Sequence, residues 1–136
     1  MANKRIDEIE GIGPAYAEKL QNAAINTTDE LLDKGRTPAG RKAIADATEI
    51  SAKQILRWVN MADLFRIKGV GGEFAELMEA SGVDTVKELK HRNAENLAEK
   101  MVEINAAKKL TRQVPSASTV TKWIEEAKTM PAGVEY

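Results

Sequence analysis

Cysteine is absent from the 136-residue sequence, and histidine occurs only at His91. The absence of cysteine excludes disulfide bonds, thiolate metal sites and a cysteine nucleophile. A single histidine leaves almost no basis for a histidine metal site or a catalytic triad. The carboxylates are spread along predicted helices with lysines nearby, so no pair of catalytic acids stands out. We therefore expect no enzymatic activity, no metal site and no cofactor.

Long apolar runs are lacking as well. No run approaches the roughly 18 residues that a membrane-spanning helix requires. The N-terminal residues lead into Ile6 and Asp7 without the apolar core of a signal peptide. Hydrophobic residues still make up 43% of the chain, which is enough to form a core. These features predict a soluble, cytoplasmic protein that does not associate with membranes.

An excess of positive charge is also missing. The chain has 20 basic and 21 acidic residues, and both halves are close to neutral when it is divided after Arg66. A dedicated nucleic-acid binder usually carries a basic excess, because phosphate neutralisation supplies most of its affinity. A near-neutral mean charge does not exclude a local basic face. Clustered basic residues could form such a face for phosphate binding, and the alternative interpretation is that they are ordinary solvated surface. Three clusters are candidates: Lys87, Lys90, His91 and Arg92; Lys108, Lys109 and Arg112; and Arg41, Lys42, Lys53 and Arg57.

What the sequence does contain is an internal repeat. Residues 9–13, Ile-Glu-Gly-Ile-Gly, correspond at an offset of 58 to residues 67–71, Ile-Lys-Gly-Val-Gly. Further along, Trp58 corresponds to Trp123 at an offset of 65, so the second copy carries seven extra residues. Such internal similarity predicts a tandem duplication. We divide the chain into a first unit, residues 1–62, and a second unit, residues 63–136.

Helix signals recur in both units, and no stretch shows the alternation of a strand. Pro14 suits the first position of a helix, and residues 27–30, Thr-Thr-Asp-Glu, form a capping box that residues 85–88 repeat. Residues 51–68 contain neither glycine nor proline, which predicts one continuous helix of about 27 Å joining the units rigidly. The sequence therefore predicts an all-α fold with about five short helices in each unit.

The two glycine turns resemble helix-hairpin-helix motifs, whose pattern is apolar-x-Gly-apolar-Gly followed by a helix. Both units are similar to the wider all-α, SAM-like class that joins such a hairpin to three further helices. The whole chain resembles a bacterial and archaeal family of duplicated helix-hairpin-helix domains with no assigned function. Proteins built on this motif perform many functions, so the resemblance indicates the fold more strongly than the activity.

The resemblance implies a specific contact with DNA. The first glycine makes the tight turn, and amides from the second glycine onward hold a phosphate at the start of the next helix. This contact does not read base sequence. Carried onto this chain, the candidate nucleic-acid-binding residues are Gly11, Ile12, Gly13, Ala15, Tyr16 and Lys19 in the first hairpin and Lys68, Gly69, Gly71 and Gly72 in the second.

Both hairpins depart from the pattern of DNA-binding members, in which a lysine often follows Gly-Pro. Ala15 occupies that position in the first hairpin. In the second, Gly72 replaces the proline and Glu73 follows it. A carboxylate at Glu73 places a like charge beside the phosphate site, and it also stabilises its own helix by roughly 0.3–1 kcal/mol. We expect the second hairpin to be the poorer phosphate binder.

Two functions follow from these observations. The first is weak, sequence-independent binding of nucleic acid, mainly duplex DNA, through the first hairpin. The second is a protein-interaction or self-association scaffold, for which the partner is another protein or a second copy in a homodimer. In that case the glycines serve only to permit close helix packing. The intact Gly-Ile-Gly-Pro favours the first function, whereas the neutral charge and Glu73 favour the second.

Two further expectations concern structure. Trp58 and Trp123 continue an apolar stripe at helical spacing, which predicts core packing rather than a platform for bases. The alternative interpretation is a hydrophobic contact between protomers. Ala24 corresponds to Gly82, just after a helix, where a left-handed residue is expected. A left-handed alanine would cost roughly 1 kcal/mol relative to glycine.

Overall fold

The computed structural model describes residues 4–136. Residues 1–3 lie outside this part. The predicted first unit begins with them, and so does the N-terminal stretch considered above for a signal sequence. The described residues form a short 3₁₀ turn, Ile6–Glu8, and eight α-helices. In chain order the helices are α1 (Pro14–Asn22), α2 (Thr28–Gly35), α3 (Pro38–Thr48), α4 (Ala52–Leu64), α5 (Gly72–Ala80), α6 (Val86–Leu89), α7 (Ala94–Lys108) and α8 (Ala117–Lys128).

The all-α prediction is confirmed for residues 4–136. The one element of extended pairing there is an isolated antiparallel bridge between Arg5 and Thr27. No helix of this part of the chain is long and apolar enough to cross a membrane.

Local sequence signals place the helix starts correctly. Pro14 and Pro38 each stand at the start of a helix. The Thr27 hydroxyl accepts a hydrogen bond from the Glu30 amide at 3.2 Å, as the capping box predicts. The Glu30 carboxylate reaches one residue further back than expected and accepts from the Asn26 amide at 3.1 Å. The cap therefore still satisfies two backbone donors at the start of α2.

The joint between the predicted units is shorter than expected. The continuous helix predicted over residues 51–68 is wrong in length, because α4 ends at Leu64. Beyond it the Arg66 amide donates to the Asp63 carbonyl and the Ile67 amide to the Leu64 carbonyl, both at 3.1 Å. These tighter i to i+3 bonds turn the chain toward the second glycine turn. Thirteen helical residues span about 20 Å rather than 27 Å.

The core is centred on α4, in which residues 58–64 are buried without interruption. A helix that is buried on every side has to be covered by other elements. Helices α2 and α3 pack against it, and α5 contacts it from the second half of the chain. Trp58 and Trp123 are 0% and 4% exposed, which confirms that both pack in the core.

The last three helices and the segment after them complete the fold. Helices α7 and α8 pack against each other, and α6 lies against α8. After α8, residues 131–136 run without helix. They return to the first half of the chain, where the Glu135 amide donates to the Arg36 carbonyl at 2.7 Å. We refer to residues 131–136 as the strap.

Candidate nucleic-acid interface

The first glycine of each turn has a left-handed backbone. Gly11 has a φ of 94° and Gly69 a φ of 89°. In both turns a local hydrogen bond of 3.1 Å closes the bend, from the Ile12 amide to the Ile9 carbonyl and from the Val70 amide to the Ile67 carbonyl. A side chain is strained at such φ values, so these two glycines are explained by the shape of the turn.

The second glycine of each turn has no such explanation. Gly13 has a φ of −84° and Gly71 a φ of −106°, both in the extended region that any residue adopts. A Cβ built on either residue would meet no atom within 4 Å among residues 4–136. Neither backbone conformation nor internal packing of this chain therefore requires glycine at these positions.

The helices that follow these glycines also lack a side-chain cap. Each of the other six helices of the described chain is preceded by a capping residue whose side chain accepts a backbone N–H: Thr27, Thr37, Ser51, Thr85, Asn93 and Ser116. Gly13 and Gly71 make no side-chain bond of this kind. The first amides of α1 and α5 are thus left for other acceptors, and a helix N-terminus favours an anionic one.

The start of α1 is open to solvent. Residues 13–16 are all exposed, and Lys19 is exposed one turn further along the helix. Tyr16 is 41% exposed and packs edge-on against Trp58, with 5.0 Å between ring centroids. Ile12 is the exception among the predicted contact residues, since its side chain is buried and its amide is bonded within the turn.

A cation lies beneath the first turn. The Arg57 Nη1 atom is 3.6 Å from the position that a Cβ of Gly11 would occupy. Its Nε donates to both carboxylate oxygens of Glu79, at 2.9 and 3.1 Å. This hydrogen bond raises the pKa of Arg57, so the guanidinium stays charged. Glu79 lies on α5, and the second half of the chain therefore holds a positive charge beside the first turn.

The start of α5 is more enclosed, and its contact with the first turn explains one sequence difference. A Cβ on Gly72 would lie 2.5 Å from the Glu8 carbonyl oxygen and 3.2 Å from Glu10 Oε1. The distance to the Glu8 carbonyl is too short for a side chain or a proline ring, because that oxygen belongs to the backbone. Gly72 therefore stands where the first copy has Pro14, because the first turn packs directly against it.

Carboxylates of the protein itself surround the second turn. Glu126 accepts a hydrogen bond from the Lys68 amide at 3.2 and 3.3 Å through its two oxygens. Glu73 lies in the first turn of α5, and Glu10 approaches Gly72. Burial and then the charge of Glu10 raise the pKa of Glu76, one turn further along α5. A phosphate at this turn would meet several negative charges.

An open pocket of about 800 Å³ adjoins the second turn. Its basic lining residues are Lys4, Arg66 and Lys68, and its acidic ones are Glu73 and Glu126. The Arg66 guanidinium is committed to structure: Nη1 pairs with Asp63 at 2.7 Å and Nη2 donates to the Pro131 carbonyl at 3.0 Å. Among the predicted contact residues, this pocket brings together Lys68, Gly69, Gly71 and Gly72.

The basic clusters of the sequence do not form one face. Arg92 precedes α7, whereas Lys108 and Lys109 end it, about 22 Å away for a 15-residue helix. Lys90 donates to the Met130 carbonyl at 2.9 Å, and Arg92 to the Gly82 carbonyl at 3.2 Å. In the first half, Arg41 is buried and Arg57 pairs with Glu79. These four cations therefore have partners within the chain.

Sequence reasoning identified Glu73 and missed the two distant acidic neighbours of the second turn, Glu10 and Glu126. Glu10 lies 62 positions before Gly72, and Glu126 lies 58 positions after Lys68. No local pattern signals contacts across such separations, because they depend on how distant helices pack. Among residues 4–136 there is no group of three or more histidine, aspartate or glutamate side chains arranged to hold a metal ion.

Comparison with known protein families gives a match over most of the chain. The sequence pattern of the family described as Domain of unknown function (DUF4332) matches residues 10–130. This match covers most of the chain, and the chain therefore belongs to that family. Among the curated proteins and the solved structures, none matches the sequence.

Proposed function

We propose that this member of the DUF4332 family is a tandem of two helix-hairpin-helix units whose first unit binds duplex DNA weakly and without reading its sequence. The observation that carries the proposal is Gly13. The chain itself has no steric need for glycine there, yet the position is exposed and begins an uncapped helix. A glycine in that setting lets a flat external surface approach the backbone closely.

The contact would be made through the start of α1. The amides of Ala15 and Tyr16 would donate to phosphate oxygens, with the positive end of the helix dipole behind them. Pro14 has no N–H to offer. Arg57, which lies beneath Gly11, would supply the charge that the absent lysine supplies in DNA-binding relatives of the motif. Contacts of this kind position a protein on the backbone and do not discriminate bases.

The second turn contributes less to this contact. Its helix start is half-buried against the first turn, and Glu10, Glu73 and Glu126 lie around it. A phosphate would have to compete with these carboxylates. One effective phosphate site agrees with weak binding, because affinity for DNA grows with the number of phosphates that are neutralised.

Fluorescence anisotropy of a labelled duplex, titrated with the protein at salt concentrations from about 20 to 200 mM, tests the proposal. We expect binding that weakens as salt rises, with a log–log slope of about one to three phosphate contacts. Gly13→Glu should abolish the signal. Gly71→Glu is the matched control, because it introduces the same charge at the equivalent open position and should leave most of the binding intact.

No binding at the lowest salt, with protein above about 10⁻⁴ M, would contradict the proposal, since this is near the weak limit of non-specific affinity. Equal loss of binding in Gly13→Glu and Gly71→Glu would contradict the assignment to the first turn. Melting temperatures of both variants show whether either substitution disturbs the fold.

The second candidate function is a protein-interaction or self-association scaffold. The carboxylates around the second turn and the overall charge of −1 favour it, because both oppose phosphate binding. In that case the duplex should give no change in anisotropy at any salt concentration. The strap adds an independent reason to consider self-association.

A further inference from the structure

The strap is bonded to the segment between α2 and α3 and to residues of α3 and α4, and it lines a pocket with Thr85, Lys87 and Glu88 at α6. We refer to the surface that holds the strap as the groove. The backbone of the strap is held from both directions: the Glu135 amide donates to the Arg36 carbonyl at 2.7 Å, and Arg41 Nη2 donates to the Glu135 carbonyl at 2.8 Å. Nearer its beginning, the Pro131 carbonyl accepts from Arg66 Nη2 at 3.0 Å. Extended peptides are commonly recognised in this way, through their main-chain groups.

Arg41 forms the floor of this groove and is only 7% exposed. Its Nη1 donates to the carbonyls of Gly35 and Arg36, at 2.9 and 3.1 Å. No carboxylate in the described chain pairs with it, and its Nη2 donates to the peptide carbonyl of Glu135. A buried guanidinium whose acceptors are all carbonyls is suited to holding a peptide, and it loses a partner when the peptide leaves.

The groove also selects side chains of the strap. A Cβ on Gly133 would overlap Asp63 Oδ1 and lie 2.6 Å from Arg66 Nη1, so a larger residue there would have to displace the buried Asp63–Arg66 pair. Val134 is buried, and the Tyr136 hydroxyl donates to Asn60 Oδ1 at 3.1 Å. The groove thus combines main-chain bonds with two fitted positions, Gly133 and Val134, in the hexapeptide Pro-Ala-Gly-Val-Glu-Tyr.

The strap is separable from the helical body. It follows α8 as non-helical chain and lies outside residues 10–130, which match the family. Its partners in the groove, such as Arg36, Arg41 and Asn60, are more than 70 positions away from the strap residues that they contact. The same bonds form equally well when the hexapeptide comes from another molecule.

We infer that this groove is a peptide-binding site and that a second copy of the chain occupies it by exchanging straps. Reciprocal exchange gives a closed dimer, and the hexapeptide of a second copy carries every residue that the groove selects. Binding within one chain is favoured by an effective concentration in the mM range, so exchange requires concentrated protein or a strap that has left its own groove. The inference does not depend on the phosphate contact of the first turn.

Complementation between two full-length variants tests the inference. Gly133→Val removes the fit of the strap and leaves the groove intact, whereas Arg41→Leu removes the donor in the groove and leaves the strap intact. Each variant alone should be monomeric in light scattering. A 1:1 mixture at about 100 µM of each should form a complex of twice the chain mass, because the intact groove of one variant binds the intact strap of the other. In neither variant does a tethered strap, with its effective concentration in the mM range, compete for that groove.

A mixture that stays monomeric while both variants keep their helical circular dichroism would overturn the inference. If Arg41→Leu does not fold, Asn60→Ala serves as the groove variant, since it removes only the acceptor of the Tyr136 hydroxyl. The peptide Pro-Ala-Gly-Val-Glu-Tyr added to Gly133→Val supplies a second measurement. We expect it to shift the NMR signals of residues 35–41, whereas Pro-Ala-Val-Val-Glu-Tyr should not. Equal or absent shifts with the two peptides would also overturn the inference.

Discussion

Gly72 touches Glu8: a Cβ on Gly72 would lie 2.5 Å from the Glu8 carbonyl oxygen. Through this contact the start of α5 packs directly against the first turn. The same packing encloses the start of α5 and places Glu10 beside Gly72, whereas the start of α1 stays exposed. The two turns thus differ in the residue that starts the following helix, Pro14 in one and Gly72 in the other, and they differ in access.

Gly72→Ala should destabilise the protein by about 1–3 kcal/mol, because the added methyl group overpacks a contact with backbone that cannot move freely. Gly71→Ala is the control one position earlier, where a Cβ meets open space. It should be neutral or stabilising by about 0.4–1 kcal/mol, since alanine has less freedom in the unfolded chain. Urea unfolding followed by circular dichroism measures both free energies. A Gly72→Ala variant as stable as Gly71→Ala would contradict this packing.

Ala24→Gly should stabilise the protein by about 1 kcal/mol, which corresponds to a few degrees in melting temperature. The predicted left-handed conformation of Ala24 is confirmed, with a φ of 64°, and Gly82 has a φ of 94°. Glycine adopts this backbone without the strain that a Cβ causes. The reverse substitution, Gly82→Ala, should lower the melting temperature. A fall in melting temperature for Ala24→Gly would be the contrary result.

Glu76→Gln should stabilise the protein at pH 7 by up to about 1 kcal/mol, the usual range for partly exposed charges. Burial is the main reason that the pKa of Glu76 lies above its ordinary value of 4.5, and Glu10 adds repulsion. The folded state therefore binds more protons than the unfolded state just above pH 4.5. The favourable contribution of Glu76 is present below that pH and is lost as pH rises through the folded pKa.

The gain from Glu76→Gln should accordingly shrink as pH falls toward 4, and urea unfolding at several pH values measures it. Glu99→Gln, on the exposed side of α7, removes the same charge away from this cluster and serves as the control. A gain that is the same at pH 4 and pH 7, or that Glu99→Gln reproduces, would contradict the assigned cause.

Arg57→Gln should weaken binding of the duplex and reduce the salt slope by about 1, as expected for loss of one phosphate contact. Arg57 is 38% exposed, and its Nη1 lies beside Gly11. Lys53→Gln, on the same helix, removes an equal charge from an exposed position and should change the slope less. The measurement is anisotropy over the salt range given above. An unchanged slope in Arg57→Gln would remove Arg57 from the proposed contact.

Much of the secondary structure could be predicted because its signals are local. The first-turn prolines at Pro14 and Pro38 and the hydroxyl caps at Thr27 and Ser51 each act within four residues, and the structure places helix starts at all four. The predicted helix over residues 51–68 was too long because its end depends on Asp63. That buried carboxylate pairs with Arg66 and accepts from the Val86 amide, 23 positions away.

The candidate site divides in the same way. The repeat and its glycines marked where both turns lie, and φ values at Gly11 and Gly69 follow from that local pattern. Which turn is open could not be read from the sequence, because Glu126 and Glu10 reach the second turn from distant helices. Whether the basic clusters around Arg92 and Lys108 come together could likewise not be read from the sequence, and in the structure α7 separates them.

By itself, the sequence determined that this chain is built from short helices around two equivalent glycine turns, because caps, prolines and left-handed glycines act over a few residues. Only the tertiary structure decided that Gly13 faces solvent, that Gly72 packs against Glu8, and that the strap satisfies Arg41. The physical reason is that exposure and charge environment at each position are set by helices far apart in the chain. Those contacts form only when the core around α4 assembles.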